Sequence, residues 1–188
     1  MTQQTTFDLI IEKADQLFYQ QGFNHTSFAH IAQAVNISRG NFYHHFKSKD
    51  EILQTVIAYR IRNTQLLLAQ WEQEGETPAE RIHSFINILI MNQSKITRYG
   101  CPVGTLCSEL VKLNHKLQDN ANELFTLFRN WLRKQFELLG HPKTADDLAM
   151  HLLARSQGIA TLASAFHDAG FIDQEVQQLN EWLAKYNQ

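Results

Sequence analysis

Prolines are scarce in this chain, three in 188 residues, and glycines number only eight. So few breakers exclude a collagen-like or low-complexity architecture. Two cysteines, Cys101 and Cys107, are too few for a disulfide framework, and their spacing lacks the paired C-x-x-C form of a zinc site. Alternating Val/Ile/Thr-rich stretches, the mark of strands, are almost absent. No apolar run approaches the roughly 20 residues of a membrane span. Met1 to Asp8 is polar and lacks a basic-then-apolar leader pattern, so the expectation is a cytoplasmic protein with no membrane partner. Charge of either sign is not in excess: 17 Lys and Arg against 19 Asp and Glu leave a net charge of -2 and no global basic field. Enzyme signatures are missing too. There is no ordered acid, base and nucleophile set, no phosphate-cradling glycine loop and no H-E-x-x-H motif, and adjacent His44 and His45 point apart on a helix. The expectation is a protein that is not an enzyme, with no cofactor and no metal.

What is present is helical periodicity. The chain is 44% hydrophobic and long enough to bury roughly 70% of its unfolded surface without covalent staples. Phe7, Ile10, Ile11, Ala14, Leu17 and Phe18 recur at helical spacing up to Gly22. Thr26 or Ser27 caps a short second helix, and Ser38 caps a third that runs to about His45. Ser48 and Glu51 form a capping box that opens a long helix through Trp71. Thr77 to Glu80 is a second box with proline at the first helical position, opening a helix to about Gln93. Thr97 to Gly104 is expected as a break, followed by a short helix to about Leu113 and a long one from about His115 to Leu139. Thr144 is expected to cap the helix Ala145 to His167, and Asp173 to begin the last. The result is an all-α fold of about nine helices. Three short helices in residues 1–47 precede larger ones in 48–188, which sets the expected domain boundary.

The chemistry concentrates in Thr26 to Asp50, TSFAHIAQAVNISRGNFYHHFKSKD. Three bases, Arg39, Lys47 and Lys49, and four histidines, His25, His30, His44 and His45, lie there or just before it, against one acid, Asp50. The stretch is a short helix, a turn on Asn36 and a second short helix. Asn tolerates the left-handed conformation that such a turn requires. Phe42 and Phe46 face Ile31 and Val35, while Arg39, Gly40, Asn41, Tyr43 and His44 take the other side. A helix with an apolar back and a face of flat hydrogen-bonding groups suits the DNA major groove, where Arg pairs with guanine and Asn with adenine. Tyr43, His45, Lys47 and Lys49 suit phosphates, and Thr26 and Ser27 at the start of the first helix complete the set. Composition alone favours a small helical core with a solvated face, and an adaptor that docks on an acidic protein is a further reading.

The ordered pattern G-F-x-x-T-S-x-x-x-I-A-x-x-x-x-I-S-x-G-x-F-Y-x-H-F-x-S-K-x-x-I-L, from Gly22 to Leu53, resembles the tetracycline-repressor (TetR) family of bacterial transcriptional regulators. Asn36 departs from the family's usual glycine. The resemblance implies a helix-turn-helix from about Thr26 to Phe46, a homodimer on a pseudo-palindromic double-stranded DNA operator, and a C-terminal domain that binds a small-molecule effector. The implied function is ligand-responsive regulation, with repression as the family's usual mode.

In the body, Phe85, Leu89, Phe125, Phe128 and Trp131 are either ordinary core or the wall of an effector cavity, with Asn92, Arg98, Tyr99 and His151 as candidate polar contacts. Cys101, in Gly-Cys-Pro-Val-Gly, is either a small residue at a tight junction or a reactive thiol at a helix start near Arg98. Relatives with a similar segment resemble sensors of small or electrophilic compounds. The helix Ala145 to His167 is rich in small residues. Ser156, Gly158, Ala163 and Phe166, with Leu179 and Trp182 on the last helix, are the expected dimer surface, or else they close the monomer core.

Overall fold

The computed structural model describes residues 5–187, and of Arg39 the backbone only. The first four residues of the polar N-terminal stretch, Gln188 and the Arg39 side chain lie outside the described residues. The chain divides into two compact units, residues 1–63 with 105–123 and residues 64–104 with 124–188. This differs from a boundary at residue 48. The first part of the long helix belongs with the short ones, and a later segment of chain returns to them.

Ten helices are present among the described residues: α1 (Thr6–Gln21), α2 (Phe28–Val35), α3 (Arg39–His45), α4 (Lys49–Glu74), α5 (Pro78–Met91), α6 (Gln93–Tyr99), α7 (Pro102–Lys112), α8 (Gln118–Leu138), α9 (Ala145–Phe166) and α10 (Ala169–Ala184). Most start where a side chain satisfies the free backbone N–H groups of the first turn. Thr5 and Asp8 box the start of α1, Ser27 accepts from His30 N at α2, and Ser38 accepts from Asn41 N at α3. Thr77 and Glu80 box α5 behind Pro78. At α4 the box is modified: Ser48 accepts from Glu51 N, but the Glu51 carboxylate reaches back to Lys47 N at 2.7 Å.

Several expectations need correction. Residues 97–104 are not one break, because α6 runs through Tyr99 and α7 starts at Pro102. Thr144 precedes α9 but makes no side-chain cap. The last helix begins at Ala169, capped by Asp168, whose Oδ1 accepts from Phe171 N, and Asp173 lies inside it.

In the first unit α1, α2 and α3 bury Ile10, Ile11, Ala14, Phe18, Ile31, Val35, Phe42 and Phe46. The aromatic rings stack in series. Phe7 lies on Phe46 (5.2 Å) and Phe28 against Phe42 (5.1 Å). Asn36 ends α2 at φ 57°, ψ 44°, so its left-handed turn is formed without glycine. The second unit packs α5, α9 and α10 around Ile82, Ile86, Leu152, Ile172 and Leu179, with Phe136 of α8 fully enclosed. Trp71 and Trp131 face each other there at 5.6 Å. No helix is long and apolar enough to cross a membrane among the described residues.

Four carboxylates sit below their ordinary values. The Thr5 hydroxyl and N–H hold Asp8, a hydrogen bond from Lys116 holds Asp50, backbone N–H groups of Thr77 and Glu76 hold Glu80, and Arg129 holds Asp146. Each therefore binds protons less readily folded than unfolded. Their contribution is fully present above the ordinary values and is lost as pH falls through the lower folded ones. The thermal midpoint is expected to fall between about pH 4 and about pH 2, and Asp50→Asn to flatten part of that fall. An equally steep fall in a variant with all four converted to amides would refute the assignment.

Candidate nucleic-acid interface and effector cavity

The outward side of α3 carries Gly40, Asn41, Tyr43 and His44, all exposed, while Phe42 on the same helix is only 1% exposed. Tyr43 is 48% exposed and braced edge-on by Phe28 at 5.5 Å, which fixes a flat polar group at the surface. A Cβ at Gly40 would meet nothing within 4 Å, so no neighbour among the described residues requires glycine there. His45 is half-buried beside Phe7 (6.5 Å), and exposed Lys47 donates to the Tyr43 carbonyl one turn back. Ser27 is exposed at the start of α2, where its hydroxyl serves as the cap.

Two residues of the expected set point elsewhere. Thr26 is 1% exposed and donates its hydroxyl to Gly22 O at 2.7 Å, so it braces the α1–α2 turn from inside. Lys49 is half-buried, with its ammonium on Phe23 O (2.9 Å) and Asn24 O (3.3 Å) and 4.2 Å above the Phe23 ring. Burial lowers its pKa, opposed by the charges of Glu109 and Asp50.

The turn at residues 22–26 is held by a group that sequence reasoning missed. The Glu109 carboxylate, on α7, accepts from Phe23 N and Asn24 N, both at 2.8 Å. Gly22 has φ +86°, a backbone conformation that favours glycine, and a Cβ there would crowd the carboxylate at 3.0 Å. His115 completes the arrangement. Its Nδ1 accepts from Leu117 N (3.2 Å), which places the proton on Nε2, where it donates to Asp50 Oδ1 (3.2 Å). The turn that leads into α2 is thus pinned on its N–H groups by Glu109 and on its carbonyls by Lys49.

The second unit contains a cavity of about 340 Å³. Phe85, Leu89, Asn92, Cys101, Phe125 and Phe128 of the candidate set line it, joined by Leu67, Ile96, Val103, Ser156 and Gln157 among others. No Asp, Glu, Lys, Arg or His is on its wall among the described residues. Cys101 precedes α7 and its Sγ accepts from Gly104 N at 3.4 Å.

The other candidates do not reach this cavity. Arg98 is exposed with its guanidinium 5.2 Å from the Tyr99 ring centre, and Tyr99 is itself off the wall. Trp131 is spent on its contact with Trp71. His151 stacks on Trp182 at 4.9 Å and lines a separate groove between α9 and α10.

That groove also separates the expected dimer residues. Ser156 and Ala163 are buried on the inner side of α9, and Leu179 is buried on α10. Gly158 and Phe166 are on the outer side, with Leu162 and Met150; Phe166 is 75% exposed. Trp182 is half-buried.

Comparison with known proteins finds two family domains in the chain. Residues 10–56 match the family described as bacterial regulatory proteins, tetR family, and residues 78–178 match the C-terminal domain of LmrA/YxaF-like transcriptional regulators. An HTH-type transcriptional regulator in the lacX 3′ region of Lactococcus lactis subsp. lactis is 26% identical over 184 residues, 96% of this chain and 94% of that one. The HTH-type transcriptional repressor DhaR of Mycobacterium sp. (strain GP1) is 23% identical over 125 residues, covering 66% of this chain and 60% of its own. A TetR transcriptional regulator from Legionella pneumophila superposes with a TM-score of 0.85 at 25% identity, covering 96% of this chain and 98% of that one. The chain therefore belongs to the TetR family, whose members are DNA-binding transcriptional regulators that act as dimers on operators and respond to small effectors, and are not enzymes.

Proposed function

We propose that this chain is a cytoplasmic homodimeric repressor that leaves its operator when a small molecule fills the cavity of the second unit. The observation that carries this reading is α7. Its first turn supplies Pro102 and Val103 to the cavity wall, and the same helix carries Glu109, which holds the turn ahead of α2. A ligand that prefers a different setting of α7 acts on the DNA-reading helices through that one carboxylate. It must bind the released form more tightly than the DNA-bound form, or no shift occurs. Each protomer places α3 in a major groove, with Asn41 and Tyr43 toward bases and Ser27, His44, His45 and Lys47 toward the backbone. The half-sites lie about 34–36 Å apart. The outer side of α9 around Gly158, Leu162 and Phe166, with Trp182 on α10, forms the two-fold contact.

A gel shift on the chain's own upstream DNA, with excess unrelated competitor, tests the reading. A discrete band should survive the competitor, and Tyr43→Ala should weaken it about tenfold or more with the dimer intact. Full binding by Tyr43→Ala would remove α3 from the interface. The proposed effector class includes electrophiles, because Cys101 is among the residues that line the cavity. With N-ethylmaleimide as probe, a bond forms between sulfur and an alkene carbon and the thiol proton passes to the neighbouring carbon. Release of DNA by wild type but not by Cys101→Ser supports this; equal release by both excludes it. Cys107 is buried, its thiol directed at Ala121 O.

A further inference from the structure

We propose that the cavity selects neutral, largely apolar ligands that carry a hydroxyl-type group at one end, and that Gly104 sets this selection by making room for the Gln157 amide. The inference rests on the reading of the cavity as the effector site.

The wall is mostly Leu, Ile, Phe and Ala, with four polar side chains: Asn92, Cys101, Ser156 and Gln157. With no ionisable carboxylate, amine, guanidinium or imidazole on the wall, a charged ligand would lose its hydration without gaining a counter-charge. The hydrogen-bond accounting narrows the choice further. The Ser156 hydroxyl donates to Leu153 O (2.7 Å), and its oxygen receives Gln157 Nε2 (3.4 Å). Asn92 Nδ2 donates to Ile88 O (3.0 Å). Each amide thus has one N–H committed, and its oxygen has no partner among the described residues. The two amides offer carbonyl acceptors and a spare N–H each. A hydroxyl, which both donates and accepts, can use both kinds of group. A carboxylate only accepts, so it leaves the amide oxygens without a donor.

Gly104 decides where the Gln157 oxygen lies. A Cβ at 104 would come within 2.3 Å of Gln157 Oε1, so any other residue displaces the amide. Gly104 carries no left-handed strain, and alanine is the better helix former, so α7 itself does not ask for glycine. The space is needed by the amide. Gly104→Ala therefore separates selection from folding, since it favours the helix while it moves the hydrogen-bonding group.

The experiment is equilibrium binding of naphthalene, 2-naphthol and 2-naphthoate to the full chain near neutral pH. Wild type, Gly104→Ala and Gln157→Leu are compared, with thermal unfolding as the control for folding. In wild type 2-naphthol should bind at least about tenfold more tightly than 2-naphthoate. Both variants should weaken 2-naphthol about three- to tenfold, and neither should weaken naphthalene. Naphthoate binding as tightly as naphthol overturns the proposal. So does unchanged naphthol affinity in both variants, or failure of both neutral probes to bind. Because no DNA is present, the result is independent of the regulatory reading. Binding of 2-naphthol without operator release would keep the selection rule and remove the effector role.

Discussion

Replacing Glu109 by alanine is expected to weaken operator binding roughly ten- to a hundredfold while the chain stays folded. The carboxylate makes two charge-assisted bonds to consecutive N–H groups at the turn entering α2. Hydrogen bonds to a charged group contribute about 1.5–3 kcal/mol each, less where water competes, as it does at Asn24. Without them Lys49 loses one of the two charges that support its half-buried ammonium. Anisotropy of a labelled operator measures the effect, and circular dichroism confirms folding. Glu109→Gln, which keeps one acceptor, should recover about half of the lost free energy. A salt series separates this mechanism from lost phosphate contact. Lys47→Ala should reduce the slope of log affinity against log salt by about 1, whereas Glu109→Ala and Lys49→Ala should leave it unchanged. Wild-type affinity in Glu109→Ala would mean that the turn holds itself.

The largest loss of stability is expected from Phe42→Ala, about 3–5 kcal/mol. The ring is fully enclosed between Phe28 (5.1 Å) and Phe46 (6.3 Å), on a helix of seven residues that has no other large apolar anchor. The deletion leaves a cavity at the junction of α2 and α3, and the outward residues of α3 lose their platform. Urea unfolding followed by circular dichroism should show a lower midpoint, and operator binding should disappear. Phe42→Leu, which restores part of the volume, should recover most of the stability. A cost below about 1 kcal/mol for the alanine variant would mean that α3 is held from elsewhere.

These expectations draw unequally on the sequence. The helix-turn-helix was legible because its signals are local. Ser27 and Ser38 lie next to the helices they cap, and Asn36 is one of the few residues that accept the left-handed turn. Glu109 was not legible, because its partners lie 86 and 85 residues away and a half-buried glutamate on a helix carries no sign of them. Helix α6 was missed because Asn92 spends its amide on Ile88 O and begins the next helix without a side-chain cap or a breaker. On α9 the small residues gave one signal for two faces. Ser156 and Gln157 turn toward the cavity while Gly158 and Leu162 turn outward, and residue size does not distinguish them. Periodicity placed the aromatics of α5 and α8 on facing helices, and only the family resemblance suggested a cavity among them; Trp131 and His151 have ring partners that periodicity does not show.

The placement of the indoles has an optical consequence. Trp71, Trp131 and Trp182 all belong to residues 64–104 and 124–188, and the chain has no others. Intrinsic emission excited at the red edge therefore reports on the second unit alone. The stacked imidazole of His151 lies against Trp182 as a ready quencher, and Trp71 and Trp131 are close enough to couple in the near-ultraviolet. Residues 1–63 and 105–123 hold no tryptophan and are dark in that channel, so a change in this emission is a change in the surroundings of the second unit's indoles.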